Sequence, residues 1–326
     1  MKRRSFVTTV MATLGSAWGP AGAQNDVFPS RPVRLVLPYS ASSGPDVVLR
    51  IMGIELAKKW GQQVVVENRP GANGVLAITA VKQAKPDGYT LTVIDNSMTS
   101  INPSLYSDVP YNIDKDLTPL ALMMSTPFYL MVSADGPLQS VKQVMEVARA
   151  NPGKLSFGSP TGIGHVSHLA MEAFLQDAGL KMFVVPYKGT SPMLTDVATG
   201  AVSMGWASWA SASGMLDSGR IKAIAVGATE RQTVSPNVPT MKEAGAPVDV
   251  EASAWTALFG PVNLPQEVAR TLGADFREVL KAQQVAARAA GLGNVTLDGD
   301  AAAVRARIDR ESKRFKDIIE SRGLRT

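Results

Sequence analysis

Apolar positions along this chain follow two alternating rhythms. One is a run of four to six neighbours that suits a buried strand; the other recurs every three to four residues and suits a helix. The first full unit opens with the apolar run Val33-Arg34-Leu35-Val36-Leu37. A small-residue loop follows from Pro38 to Pro45, then an amphipathic stretch led by Val47, Val48 and Leu49. Asp46 is placed to close the loop as an N-cap. A strand–loop–helix unit of this kind presents unpaired backbone N–H groups at the helix start, where an anion can bind.

The same rhythms predict strands at 63–68 and 90–94 and a helix over 75–84, the spacing of parallel βαβ units. An apolar run at 119–132 reads as a strand that carries the chain into a second lobe. There the pattern gives helices at 141–150 (capped by Ser140), 165–178, 191–199 and one running through Met215, with strands at 155–158, 182–185, 202–206 and 221–226. A strand at 255–260 returns to the first lobe, and two long helices, 265–290 and 301–322, close the chain. Each lobe therefore begins with a strand, a small-residue loop and a helix, the second loop being Ser159-Pro160-Thr161-Gly162-Ile163-Gly164.

At 326 residues the chain exceeds one comfortable core, which agrees with two lobes. Lys2, Arg3 and Arg4, an apolar run from Phe6 to Trp18 and the small residues Ala21-Gly22-Ala23 form an expected secretory leader, cut before Gln24. Arg3-Arg4-Ser5-Phe6 also resembles a twin-arginine signal, so both export routes stay open. Without the leader the formal charge falls from +5 to about +2, too little to point to nucleic acid. The chain has no cysteine, hence no disulfide or thiol chemistry. Beyond the leader no run approaches the ~20 apolar residues of a membrane span. The expected location is the periplasm.

Candidate chemistry is sparse. His165, His168 and Glu172 share a helix face at a spacing that suits metal ligands or, more simply, a polar first turn. Gly162-Ile163-Gly164 lacks the third glycine and acidic partner of a dinucleotide fingerprint. No Walker loop and no Gly-x-Ser-x-Gly elbow is present, and Lys188 near Ser191 is the one nucleophile–base pair to consider. The expectation is no cofactor, no metal and no catalysis. Trp206, Trp209 and Trp255 either line a cleft or pack the lobes, with Trp255 best placed for a hinge or cleft edge. Arg69 and Lys188 read as fold-stabilising surface charges rather than anion clamps.

Eight ordered blocks make the sequence specific. They are Arg31-Pro32-Val33-Arg34, Pro38-Tyr39 with Asp46, Val64-Val65-Val66-Glu67-Asn68-Arg69-Pro70-Gly71-Ala72, Pro86-Asp87-Gly88-Tyr89-Thr90-Leu91, Asn102-Pro103-Ser104-Leu105-Tyr106, Asn151-Pro152-Gly153-Lys154-Leu155, Val185-Pro186-Tyr187-Lys188-Gly189 and Asn237-Val238-Pro239-Thr240. Over essentially the whole mature length the chain resembles the Bug (Bordetella uptake gene) or TctC family, the solute-binding proteins of tripartite tricarboxylate transporters. The resemblance implies an α/β type II periplasmic-binding-protein fold of two Rossmann-like lobes joined by two crossover segments. By that pattern the divisions are a signal peptide at 1–23, lobe one at 24–125 plus 249–326 and lobe two at 126–248. It implies a small carboxylate held between the lobes, and a monomer that delivers it to membrane transporter subunits. A solitary receptor for a sensor protein and a periplasmic enzyme are the alternatives.

Carried over residue by residue, the resemblance places Tyr39, Ser40, Ala41, Ser42, Ser43, Gly44 and Asp46 at the ligand from the first loop. Asp46 shapes the loop more than it touches the ligand. Ser159, Thr161, Gly162, Gly164 and His165 follow from the second loop, with Tyr187, Ala207 and Ser208 from the ends of later strands. The chain departs from the family pattern at Ser42 and Ser43, where two glycines are usual, at His165, usually Ser or Thr, and at Ala207-Ser208, often Asp-Asn. These departures suggest a bulkier or more apolar carboxylate near Ala207.

Overall fold

The computed structural model describes residues 28–160, 162–248 and 250–326. The leader and its cleavage site lie outside the described residues, as does Thr161.

The first lobe is laid down by β1 (Val33–Leu37), α1 (Gly44–Trp60), β2 (Val64–Asn68), α2 (Val75–Lys82) and β3 (Thr90–Asp95). The three strands run parallel in the order β2-β1-β3. Both faces of β1 are covered, which is why its sequence is almost continuously apolar. Val33, Leu35 and Leu37 join one buried cluster with Leu49, Met52 and Phe276, while Val36 joins another with Ile78 and Trp255. A π-helical turn at Ser97–Ile101 leads into the short helices α3 (Asn102–Leu105) and α4 (Ile113–Asp116).

The strand expected at 119–132 is longer, β4 (Leu117–Ser133), and it belongs to both lobes. Up to Pro127 it pairs antiparallel with β9 (Ser253–Pro261); from Phe128 onward it pairs with the strands of the second lobe. That lobe contains α5 (Val141–Ala150), β5 (Ser156–Ser159), α6 (Val166–Asp177), β6 (Phe183–Pro186), α7 (Thr190–Thr199), β7 (Met204–Ser208), α8 (Trp209–Asp217) and β8 (Ile221–Val226). β6, β5 and β7 are parallel, and β4 closes against β7 and β8. Ser140 caps α5 by accepting from the Gln143 amide at 3.2 Å, as its sequence position predicts. The chain returns to the first lobe through β9, which runs antiparallel between β3 and β4.

Two sequence expectations are corrected here. The helix expected over 265–290 is two helices, α9 (Gln266–Leu280) and α10 (Gln283–Gly291), separated by an extended residue at Ala282 (φ −58°, ψ 134°). Beyond the break, Val285 and Ala289 of α10 pack into the lobe-one core. A two-residue strand, β10 (Val295–Thr296), then pairs with β4, and α11 (Ala301–Ser321) ends the fold. The N-cap of α1 is Ser43 rather than Asp46, with Pro45 in the first turn. The helix starts three residues earlier than Asp46 would allow.

The return strand is anchored by one buried carboxylate. Glu311 of α11 accepts the Trp255 indole N–H at 2.7 Å, Arg307 Nε at 3.0 Å and the Asn96 side-chain amide at 3.1 Å. The Asn96 amide also donates to the Ser253 carbonyl at 3.1 Å, and its Oδ1 accepts the Trp255 backbone N–H at 3.4 Å. Trp255 is fully buried, so it serves the junction of β9 with the lobe-one core rather than a cleft edge; Trp206 is likewise buried, in the core of lobe two. Removing one member of such a buried charged network leaves its partners unmatched, at about 3–5 kcal/mol. Glu311→Ala is therefore expected to lower the urea midpoint by that equivalent, and Glu311→Gln, which keeps an acceptor, by less.

Candidate functional site

The two loops singled out in the sequence leave the C-terminal ends of parallel strands, β1 and β5, where open α/β sheets place ligands. The first is a self-bracing turn. Ser42 stands at φ 65°, a left-handed conformation that glycine adopts freely and serine does not. Its backbone N–H is matched by Asp46 Oδ2 at 2.8 Å, which fixes the turn. Asp46 is 1 % exposed and also accepts from Arg50 Nε at 3.0 Å and Asn68 Nδ2 at 2.7 Å. Burial alone would raise its carboxyl, but the hydrogen bonds from Arg50, Asn68 and the Ser42 amide hold it below the usual range. Asp46 thus braces the loop, and both of its oxygens are occupied by protein.

Asn68, which sequence reasoning did not single out, ties the loop to β2. Its amide bridges the Tyr39 carbonyl (3.0 Å) and Asp46. The Tyr39 hydroxyl donates to Asp95 Oδ2 at 3.4 Å, at the end of β3. Burial and the adjacent Asp95 push the Tyr39 phenol well above its ordinary value, and burial raises the Asp95 carboxyl. Ser40, Ala41 and Ser42 are exposed, and the Ser43 hydroxyl is buried at the α1 N-cap without a protein partner.

The second loop is committed differently. Ser159 Oγ donates to the Gly162 carbonyl at 2.5 Å, and the Ser159 carbonyl accepts the Tyr187 N–H at 2.8 Å. The Gly164 N–H, expected to face a ligand, instead donates inward to His168 Nδ1 at 3.1 Å. Gly164 has φ 87°, and an added Cβ would lie 2.3 Å from Leu105 Cδ2. Its glycine character therefore serves a close approach of the loop to the first lobe. His165 is the N-cap of α6: its Nδ1 accepts from the Ser167 N–H at 3.4 Å, and the ring lies 6.4 Å from that of Phe128 on the crossover strand.

The side chains of the remaining sequence candidates are held by partners outside the two loops. The Tyr187 hydroxyl donates to Asp196 at 2.6 Å, and burial together with that carboxylate pushes the phenol up to about 12. Ala207 is 2 % exposed and packs with Tyr129 and Met131 in the lobe-two core, so its methyl leaves no space for a bulky ligand. Ser208 caps α8, accepting from the Ser211 N–H at 3.3 Å. Arg69 pairs with Glu67 at 2.6 Å rather than with either loop. Neither loop contains a lysine or arginine. Among the described residues no group of three His, Cys, Asp or Glu is arranged to hold a metal ion, and no helix is long and apolar enough to cross a membrane.

With this geometry in place, comparison with known proteins identifies the class. Residues 48–324 match the tripartite tricarboxylate transporter family receptor, TctC, and the chain belongs to that family of solute-binding receptors rather than to any enzyme family. It is 28 % identical to the periplasmic binding protein BugD, covering 91 % of this chain and 99 % of that one at a TM-score of 0.70. It is 30 % identical to MatC from Rhodopseudomonas palustris, solved with bound malate, over 90 % of this chain and 100 % of MatC at a TM-score of 0.71. A second Rhodopseudomonas palustris protein, solved with adipate, is 27 % identical over 91 % of this chain and 98 % of its own, at a TM-score of 0.74. The two-lobed α/β fold is thus that of periplasmic solute-binding proteins.

Two outcomes follow. Asp46→Ala removes three hydrogen bonds to a buried carboxylate and should destabilise the protein by about 2–3 kcal/mol in thermal unfolding. His165, lowered to about 4 by burial and then by neighbouring His168, is neutral in the fold, and its Nδ1 must stay unprotonated to cap α6. The unfolded side chain binds a proton near its ordinary value of about 6.5. Between these values the unfolded state holds the extra proton. This contribution to stability is therefore full above about 6.5 and is lost as pH falls toward 4. The drop in Tm from pH 7 to pH 5 should be smaller in His165→Gln than in the parent chain.

Proposed function

We propose that this protein captures a small organic carboxylate in the periplasm, in the cleft between its two lobes, and delivers it to a tripartite-type membrane transporter. The observation that carries the reading is that one helix in each lobe, α1 and α6, opens from a small-residue loop without a cationic side chain. Helix N-termini favour negative charge, and oriented amides and hydroxyls can match a carboxylate without an ion pair. Relatives solved with malate and adipate, both dicarboxylates, support the same ligand class.

In this reading Ser40, Ala41, Ser42, Ser43 and Gly44 from the first loop and Gly162 and His165 from the second face the ligand. Tyr39, Asp46, Ser159 and Gly164 hold the loops in shape, while Tyr187 and Ser208 stand at the margin. We assign lobe one to 24–125 plus 249–326 and lobe two to 126–248. Closure of one lobe on the other would exclude water and strengthen each hydrogen bond to the anion.

Thermal unfolding with adipate, malate and their diamides tests the ligand class. A ligand at ~100 times its dissociation constant adds about 2.7 kcal/mol to the folded state. A rise in Tm with at least one acid and none with its diamide is the expected result. An equal rise with the diamide would remove charge from the recognition and overturn the reading.

A further inference from the structure

The second loop is gripped from both lobes, and one grip passes through a buried histidine. His168 is 1 % exposed and stacks on Phe157, the ring centroids 5.8 Å apart and the planes at 20°. A backbone N–H can only donate, so Nδ1, which meets the Gly164 amide at 3.1 Å, is the acceptor and the neutral ring carries its proton on Nε2. Nε2 is buried without a hydrogen-bond partner, and Glu172 Oε1, one helical turn along α6, lies 3.6 Å away. The other oxygen of Glu172 receives Arg322 Nε at 2.8 Å, from the residue that ends α11. α11 packs on the Ser97–Ile101 turn and on α3, whose Leu105 presses against Gly164 from the opposite side.

We propose that His168 is a positioning residue for the second binding loop, set by the ion pair between Arg322 of lobe one and Glu172 of lobe two. The Gly164 N–H fixes Nδ1 as the acceptor, and Glu172, oriented by Arg322, places a carboxylate on the Nε2 side of the ring. Nδ1 then holds the Gly164 amide and, through it, the turn before α6. The loop's conformation is thereby coupled to where α11 stands against α6. A second contact across the same two helices, Arg314 to Asp177 at 3.5 Å, keeps them in register. The alternative is that His168 only fills the core beside Phe157, in which case any side chain of similar bulk would serve.

Only the effect on binding rests on the carboxylate reading, so the test has an arm that needs no ligand. Amide hydrogen exchange is followed by mass spectrometry in the full chain, in peptides spanning 159–168 and, as a control, 141–150. His168→Leu keeps bulk and removes the acceptor; it should raise exchange in the loop roughly tenfold or more and leave the control unchanged. His168→Asn returns an acceptor near the Nδ1 position and should restore exchange to within about threefold of the parent. Arg322→Ala, a change at the surface, should also speed loop exchange, and it carries the test if His168→Leu does not fold. Equal loss in the Leu and Asn variants, an Arg322→Ala loop indistinguishable from the parent, or equal acceleration in the control helix would each overturn the proposal. Adipate and malate titrations give the second readout, with weaker binding expected in the variants whose loops exchange faster. If the parent binds neither acid while the exchange pattern holds, the ligand class is wrong and the positioning role stands.

Discussion

A carboxylate removed from water has to be met by donors, and Glu311 is met by three from three separate segments. Its partners are Asn96 at the end of β3, Trp255 on the returning strand and Arg307 one turn earlier on α11. Only one mutual placement of these segments satisfies all of them, and leaving any unmatched is expensive in a dry interior. The crossing of the chain between lobes lies immediately beside this point, because Asn96 also holds the Ser253 carbonyl. The network thus gives the hinge a fixed seat on the first lobe. The second lobe is tied to it through β4, through the apolar contact of α6 with Leu105 and α11, and through the ion pairs of α11.

On that seat the two loops solve different problems. The first loop satisfies its turn internally, through Asp46 and Asn68, and leaves Ser40 and Ser42 exposed. The second directs the Gly164 amide inward to His168 and the Ser159 hydroxyl to the Gly162 carbonyl. Loops braced this way are pre-shaped, so in the proposed binding role their backbone would not have to be ordered when a ligand arrives. In the proposed binding role, the lack of cations would leave recognition to dipoles and hydroxyls, whose directionality discriminates by shape as much as by charge.

Most of the fold was legible because apolar period and turn chemistry agree along the chain. β8 and α5 begin and end where their patterns do. The break at Lys281–Ala282 was hidden because the helical period of apolar residues runs through it unbroken, and only packing of Val285 on the core reveals the bend. The α1 cap was misread although a signal was present: Pro45 favours the first helical turn, which points to Ser43 rather than Asp46. At the site, loop membership was readable from spacing, whereas the direction of each group was not. Ala207 sits on a strand covered on both faces, so alternation alone does not separate core from cleft. Arg50 meets Asp46 one turn along α1, a contact that i,i+4 spacing offers, whereas Asn68 meets it only after β1, β2 and α1 have assembled.

The pairing of β4 with β9 bears on how the protein is made. Leu117 meets Pro261 and Pro127 meets Ser253, so the strand that closes lobe one is synthesised after the whole of lobe two. Until those late residues emerge, the β4 edge meant for β9 lacks its partner, and the apolar faces awaiting α9 and α11 stay uncovered. Pairings so distant in sequence are reached slowly, because the loop must close before any contact rewards it. Lobe two, continuous between the two crossings, has no such dependence. The order of assembly is therefore written into the connectivity: the inserted lobe first, then the lobe that carries both ends of the chain.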